Sequence, residues 1–362
     1  MRIALIDNSR GWGGAEQVLL SLAAGMRSRG HGMTVFLREG GATVEPFRRE
    51  GFDVRPTPRD ATGIFRGLWR TVRAARRERY DLVHAHRNHD LLVGRMAAAA
   101  AGAPLLLTQH CLLGTMSARH IGLADRIVAV SRFIGSDMES RFPSLKGRVE
   151  VIHNGIDLSP FDRPRPGYWQ NVPALAGARP LFGVVGFFYK NQEELIGLLP
   201  RIREKLPAAK LIVIGGDDGK RGNLERAAEA CGVTDAVHFA GKVPHREIGD
   251  ALAGLDFNIS AFRREGCALN VIESLASGTP FVGYRSGSYP ELVVEGETGM
   301  LADTPEEFVR IVVSLAGQPE KTGEMRRRAR EDARARFDVK TMIDRYEELY
   351  LRLAGRNGDG HG

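Results

Sequence analysis

Short apolar runs alternate with stretches of helical periodicity along the whole chain, a rhythm that predicts repeated βα units and parallel sheets. In the first half the runs fall at Arg2–Asp7, Met33–Leu37, Asp53–Arg55, Leu82–His86, Leu105–Gln109, Arg126–Val130 and Glu150–Ile152. From Asn154 to Pro180 the periodicity fades and Pro and Gly accumulate, which predicts a linker. A second series follows at Leu181–Gly186, Leu211–Ile214, Val237–Ala240, Phe257–Ile259 and Phe281–Tyr284, and helical patterns over Pro305–Ala316, Glu320–Phe337 and Val339–Leu353 close the chain. This organisation predicts an α/β protein of two tandem Rossmann-like domains, 1–165 and 175–337, with ligands in a cleft outside the carboxyl ends of both sheets. Gly355 to Gly362 reads as a disordered tail.

Composition agrees with two ordinary globular domains: 362 residues, 43% hydrophobic and 26% charged. The longest apolar run, Met96 to Leu107, contains Gly102 and Pro104 and is too short to span a bilayer. The first strand begins at once, with no apolar segment of a secretory signal behind it. Cys111, Cys231 and Cys267 are odd in number and lack metal-ligand spacing, so they read as reduced thiols of a cytoplasmic protein.

Charge changes the picture in one place. Residues 1–170 carry 25 Lys and Arg against 16 Asp and Glu, within a chain of net charge +7. The densest part is Arg66, Arg70, Arg73, Arg76, Arg77 and Arg79, threaded by Phe65, Leu68, Trp69 and Val72 at helical spacing. Two readings stand here: a solvated helix face, or a patch for an anionic membrane surface or a phosphorylated acceptor. A nucleic-acid partner is not expected, because the arginines lack the interleaved aromatic platform that single strands require.

The chemistry concentrates around Arg264-Glu265-Gly266-Cys267-Ala268-Leu269-Asn270-Val271-Ile272-Glu273. If a helix begins near Ala268, Glu265 lies in the loop before it and Glu273 about five residues, or ~8 Å, along its axis. The free N–H groups of Gly266 to Asn270 then lie between two carboxylates and attract a phosphate. Carboxylates suit diols and amides suit phosphates, which matches a nucleotide-sugar: sugar, diphosphate, ribose. A second glycine turn, Gly11-Trp12-Gly13-Gly14-Ala15-Glu16, opens the first helix at a position suited to an anion. His110 ends a strand, as does the His84-Ala85-His86 pair; a zinc site there lacks a third ligand at plausible spacing.

The Glu-x7-Glu pattern with its Ser274-Leu275-Ala276-Ser277-Gly278-Thr279-Pro280 exit resembles the donor-binding motif of retaining glycosyltransferases of family 4, which have the GT-B fold. The resemblance spans nearly the whole chain in family order. It implies that Gly13 and Gly14 face the donor diphosphate and the acceptor, that His110 contacts the donor sugar, and that the Phe239–Pro244 loop, with Val243, meets the nucleobase. Ser131 and the Asn154-Gly155-Ile156-Asp157 loop match family positions before the linker. The helix over 339–354 crosses back onto the first domain. Glu265 holds the reacting sugar, Glu273 the ribose, and Lys190 the diphosphate. One departure stands out: Phe187 occupies the place of the usual Arg, leaving the charge to Lys190, the helix start and Arg263 or Arg264. The activity implied is metal-independent transfer of a sugar from a nucleotide-sugar, UDP favoured over GDP, to a saccharide or lipid-linked acceptor of the cell envelope, such as lipopolysaccharide. A GT-B sugar-nucleotide epimerase and a catalytically inert GT-B binding module are the alternatives.

Overall fold

A computed structural model describes residues 1–57, 63–114, 118–217 and 219–355. The chain forms two compact units, Met1–Gly155 with the segment from Val339 onward, and Ile156–Asp338. The first boundary therefore falls at Gly155, before the 165 read from sequence.

The first unit carries a seven-stranded parallel sheet: β1 Arg2–Asp7, β2 Gly32–Arg38, β3 Asp53–Thr57, β4 Leu82–Ala85, β5 Leu105–Gln109, β6 Arg126–Ala129 and β7 Val149–Val151, in the order β3-β2-β1-β4-β5-β6-β7. The order reverses between β1 and β4, where Leu5 pairs with His84. Ligands of such sheets bind outside the carboxyl ends at that reversal. Ile3, Leu5, Leu82, Val83, Leu105 and Leu107 are fully buried, as strands covered by helices on both faces require.

The second unit repeats the plan with β8 Leu181–Val185, β9 Lys210–Ile214, β10 Val237–Gly241, β11 Phe257–Ser260, β12 Phe281–Tyr284 and β13 Gly299–Ala302, in the order β10-β9-β8-β11-β12-β13. Here the reversal lies between β8 and β11. The predicted strands all appear, with ends shifted by a residue or two; β13 is an addition that the pattern misses.

One other feature corrects the sequence reading, and a second agrees with it. The stretch from Asn154 to Pro180 is not a bare linker. Phe161, Trp169 and Leu175 are buried in the core of the second unit, and Trp169 Nε1 donates to Ala251 O at 2.7 Å. The last helix, Val339–Gly355, belongs to the first unit. Its Tyr346 and Tyr350 hydroxyls reach Thr108 Oγ1 (3.0 Å) and His84 Nδ1 (2.7 Å), and Arg352 reaches Glu150 (2.7 Å). The predicted tail beyond Gly355 lies outside the described residues. On the helix Gly63–Glu78, Trp69, Arg70, Arg73, Arg76 and Arg77 are exposed on one face, and Arg73 lies over the Trp69 ring at 5.1 Å. The side chains of Phe65 and Arg66 are outside the described residues. No described helix is long and apolar enough to cross a membrane.

Candidate active site

In the second unit the helix Leu269–Ala276 follows β11, with Ala268 as its N-cap. No side chain caps this end, so the first-turn N–H groups of Leu269 and Asn270 have no acceptor within the helix. Gly266 and Ala268 are buried, and Cys267 and Leu269 pack partly against the core. Asn270 faces inward instead, its Nδ2 donating to Val185 O at 3.0 Å and so tying the helix start to the end of β8.

Glu265 sits in the loop before that helix, and its carboxylate accepts from Lys190 Nζ. Lys190 comes from the loop after β8, so the two residues that sequence assigns to the reacting sugar and the diphosphate meet as an ion pair. The Glu265 backbone is clamped by the turn after β12. Ser288 N–H donates to Glu265 O at 3.0 Å, and Gly287 has φ 59°, where a Cβ would lie 3.0 Å from both the N and the O of Glu265. Only glycine meets both demands easily. Glu273, one face further along the helix, is buried, and its carboxylate has no hydrogen bond or ion pair among the described residues. Burial raises its pKa to about 7.

The cations proposed from sequence to assist Lys190 behave differently. Arg263 is forked on Glu194 (2.6 and 2.7 Å) with its guanidinium 3.7 Å from the Tyr284 ring centroid, so it is held by its own unit. Arg264 is exposed. Phe187 is exposed and stacks with Tyr189 at 5.9 Å. Lys242, which sequence places in the nucleobase loop without a role as a cation, extends from the loop after β10 across Gly216. A Cβ there would lie 2.6 Å from Lys242 Cε and 3.7 Å from Phe187 Cε1. Val243, beside it, packs partly against the core.

In the first unit the glycine turn leads into the helix Gly14–Ser28, and Gly13 N–H donates to Glu16 Oε2 at 2.8 Å. Its own carboxylate thus fills part of the place that sequence offers to an anion. Burial opposes ionisation of Glu16, but Arg87, ion-paired with it, holds the carboxyl below the ordinary range. His110 follows β5, its ring 4.3 Å from that of His86. Burial lowers the pKa of both, with the neighbouring histidine and Arg87 adding to the effect at His110, so both are neutral at pH 7. His84 is not a ligand-facing group: it bonds Tyr350 and Thr108 in the core. Ser131 caps the helix Arg132–Arg141, accepting from Ile134 N at 3.2 Å.

Asp7, His89 and Asp90 have ligand atoms within 4.8 Å of one another. Asp90, however, already accepts from Asn8 N and Nδ2 (3.2 and 2.6 Å), and Arg87 lies 3.8 Å from Asp7, a poor setting for a cation.

Two doubly wound parallel-sheet units, the second bearing an uncapped helix start between two glutamates, define a glycosyltransferase of the GT-B fold. Residues 12–160 match the model for Glycosyltransferase Family 4 and residues 171–336 that for glycosyl transferases group 1; the chain belongs to the family 4 glycosyltransferases. D-inositol 3-phosphate glycosyltransferase 2 of Catenulispora acidiphila is 28% identical over 346 residues, covering 86% of this chain and 79% of that protein. The crystal structure of Anabaena HepE in complex with UDP superimposes with a TM-score of 0.85 at 23% identity, covering 98% of this chain and 100% of that one, and its complex with UDP-glucose gives 0.84.

Proposed function

We propose that this glycosyltransferase moves a sugar from a nucleotide-sugar, UDP-linked in preference to GDP-linked, to an acceptor hydroxyl with retention of anomeric configuration and without a metal ion. The observation that carries the reading is the Lys190–Glu265 pair beside the uncapped start of the helix Leu269–Ala276, with Glu273 buried and unpaired on the same helix. UDP is favoured because the structurally similar Anabaena protein is described in complex with UDP and with UDP-glucose. Retention follows from the family resemblance.

In this reading Lys190 moves from Glu265 to the diphosphate as the donor arrives, and the helix N–H groups meet the developing negative charge. Glu265, released, accepts from hydroxyls of the transferred sugar, and Glu273 from the ribose diol. Lys242 supplies a second cation near Phe187. The dipole and the lysines do the work a divalent ion does elsewhere. The exposed Trp69 and arginine face suits an anionic membrane, and hence a lipid-linked or saccharide acceptor of the cell envelope at the inner membrane face. Phe187, in the place of the family's Arg, favours the inert binding module as the second reading.

Titration calorimetry with UDP, GDP and ADP, followed by release of free nucleotide from the corresponding sugars with and without EDTA, tests the proposal. Tightest binding of UDP and acceptor-dependent, EDTA-insensitive release support it. Binding without release selects the inert module, and release independent of any acceptor selects the epimerase or a hydrolase. Co-sedimentation with anionic but not neutral vesicles at low salt tests the membrane reading.

A further inference from the structure

At the amino ends of β8 and β11 a cavity of about 310 Å³ is lined by Arg179, Asp256 and Arg326, with apolar walls that include Leu206, Phe257 and Leu315. Arg179 stands two residues before β8 and Asp256 one before β11, while Arg326 lies on the helix Pro319–Arg336. These residues all belong to the second unit. Lys190 and Glu265 follow the opposite ends of the same two strands, so the length of a strand, ~15 Å, separates this cavity from the donor site.

Positive charge gathers here without its balance. Arg326 and Arg330, four apart and so on one face of their helix, meet at Gly278: Arg326 Nη1 donates to Gly278 O at 3.2 Å, and a Cβ on Gly278 would lie 2.5 Å from Arg330 Nε. Arg326 Nη2 donates to Leu255 O and Asp256 O (2.6 and 3.2 Å). Carbonyls take these bonds but leave the charge in place. Among the described residues the carboxylate nearest Arg326 is that of Asp256, at 3.9 Å, and its Oδ2 already accepts from Leu181 N at 2.7 Å. The helix's own acids are engaged elsewhere, Glu324 and Glu331 with Arg327 and Arg328, and Asp332 with Arg336. Arg330 Nε is buried without a partner, and the Arg179 side chain makes no hydrogen bond or ion pair among the described residues. Burial lowers the pKa of Arg326; Asp256 opposes that shift, and the charges of Arg330 and Arg179 add to it, so both guanidiniums are close enough to be felt.

We propose that this cavity is a binding site, separate from the donor site, for a small phosphate monoester. Three guanidiniums against one carboxylate leave about two positive charges unmatched, and a phosphate monoester carries about that much negative charge at pH 7. Arg179, whose donors are all uncommitted, forks on the phosphate, and Arg326 faces it with the N–H groups that the three carbonyls leave over. The organic part of the ester lies against Leu206 and Leu315. Free phosphate would leave those apolar walls in water, which is why the ester is preferred.

Titration calorimetry on the full chain with excess UDP tests the proposal, with phenyl phosphate as the probe and inorganic phosphate and phenol as its two halves. Phenyl phosphate is expected to bind the parent at least about tenfold more tightly than either half. Its affinity should fall at least about tenfold in Arg179→Gln and in Arg326→Gln, the loss of a charge-assisted contact, and persist in Lys190→Ala at the donor site. No binding of phenyl phosphate, equally tight binding of inorganic phosphate or of phenol, affinity unchanged in both arginine variants, or loss in Lys190→Ala overturns it. Thermal melts check folding; if Arg326→Gln, which gives up three carbonyl contacts, does not fold, the exposed Arg179→Gln carries the test. The Lys190→Ala arm reads the same whether or not UDP binds, so failure of the donor reading and failure of this one are told apart.

Discussion

Glu273→Gln isolates the conflict between stability and binding at the donor site. The Glu273 carboxyl is buried without a partner and titrates near 7 rather than its ordinary 4.5. Between those values the unfolded chain has released the proton while the folded chain still holds it, so folding stability declines as pH rises from about 4.5 to about 7 and is flat above. At about 1.4 kcal/mol per unit, the displacement costs about 3 kcal/mol at pH 8. Gln has the same shape and no ionisation. The variant is therefore expected to match the parent near pH 4.5 and to exceed its stability by up to about 3 kcal/mol at pH 8. Its UDP affinity should fall at least about tenfold at pH 8, the worth of a charge-assisted hydrogen bond to a ribose hydroxyl. Urea unfolding at pH 5, 6, 7 and 8, with UDP titrations on the same samples, measures both effects. A stability difference that does not change with pH, or a variant less stable than the parent at pH 8, refutes the burial argument; unchanged UDP affinity refutes the ribose assignment.

Lys190→Ala should lower kcat/KM by at least about 30-fold, or ~2 kcal/mol of transition-state stabilisation, because Arg263 is committed to Glu194; steady-state kinetics checks it, and a change within twofold would assign the diphosphate to Lys242 or Arg264. Gly287→Ala should cost about 1–3 kcal/mol of stability and reduce turnover by displacing Glu265, since φ is 59° and the added Cβ meets the Glu265 backbone at 3.0 Å; denaturant melts beside turnover decide it, and a variant indistinguishable in both removes Gly287 as a positioning residue. Tyr350→Phe should destabilise the chain by about 1–3 kcal/mol, because it leaves buried His84 Nδ1 without its 2.7 Å partner; unfolding with UDP affinity unchanged is the expected signature.

Legibility in the sequence followed the range of the interactions. Strands such as Leu105–Gln109 were plain because three leucines in succession announce a buried strand. Gly299–Ala302 was not, because Gly-Met-Leu-Ala has no β-branched residue and only four positions. The stretch before Pro180 resembled a linker in composition, yet Phe161 and Trp169 are buried, and their partners come from elements far along the chain. At the site, Glu265 and Glu273 were readable because a helix start orders both within nine residues. The engagement of Arg263 was hidden because Glu194 lies 69 residues away, and that of Arg87 because Glu16 lies 71 away. The core role of His84 carried no signal, since Tyr350 is 266 residues distant.

The most direct test of the central claim is to follow UDP-glucose by proton NMR with the full chain, EDTA and a polyol acceptor, observing free UDP and the anomeric proton of the product together. The account predicts acceptor-dependent release of UDP with an α-linked product, abolished by Glu265→Ala. A β-linked product, or no release of nucleotide from UDP-, GDP- or ADP-sugars under any acceptor, would contradict it.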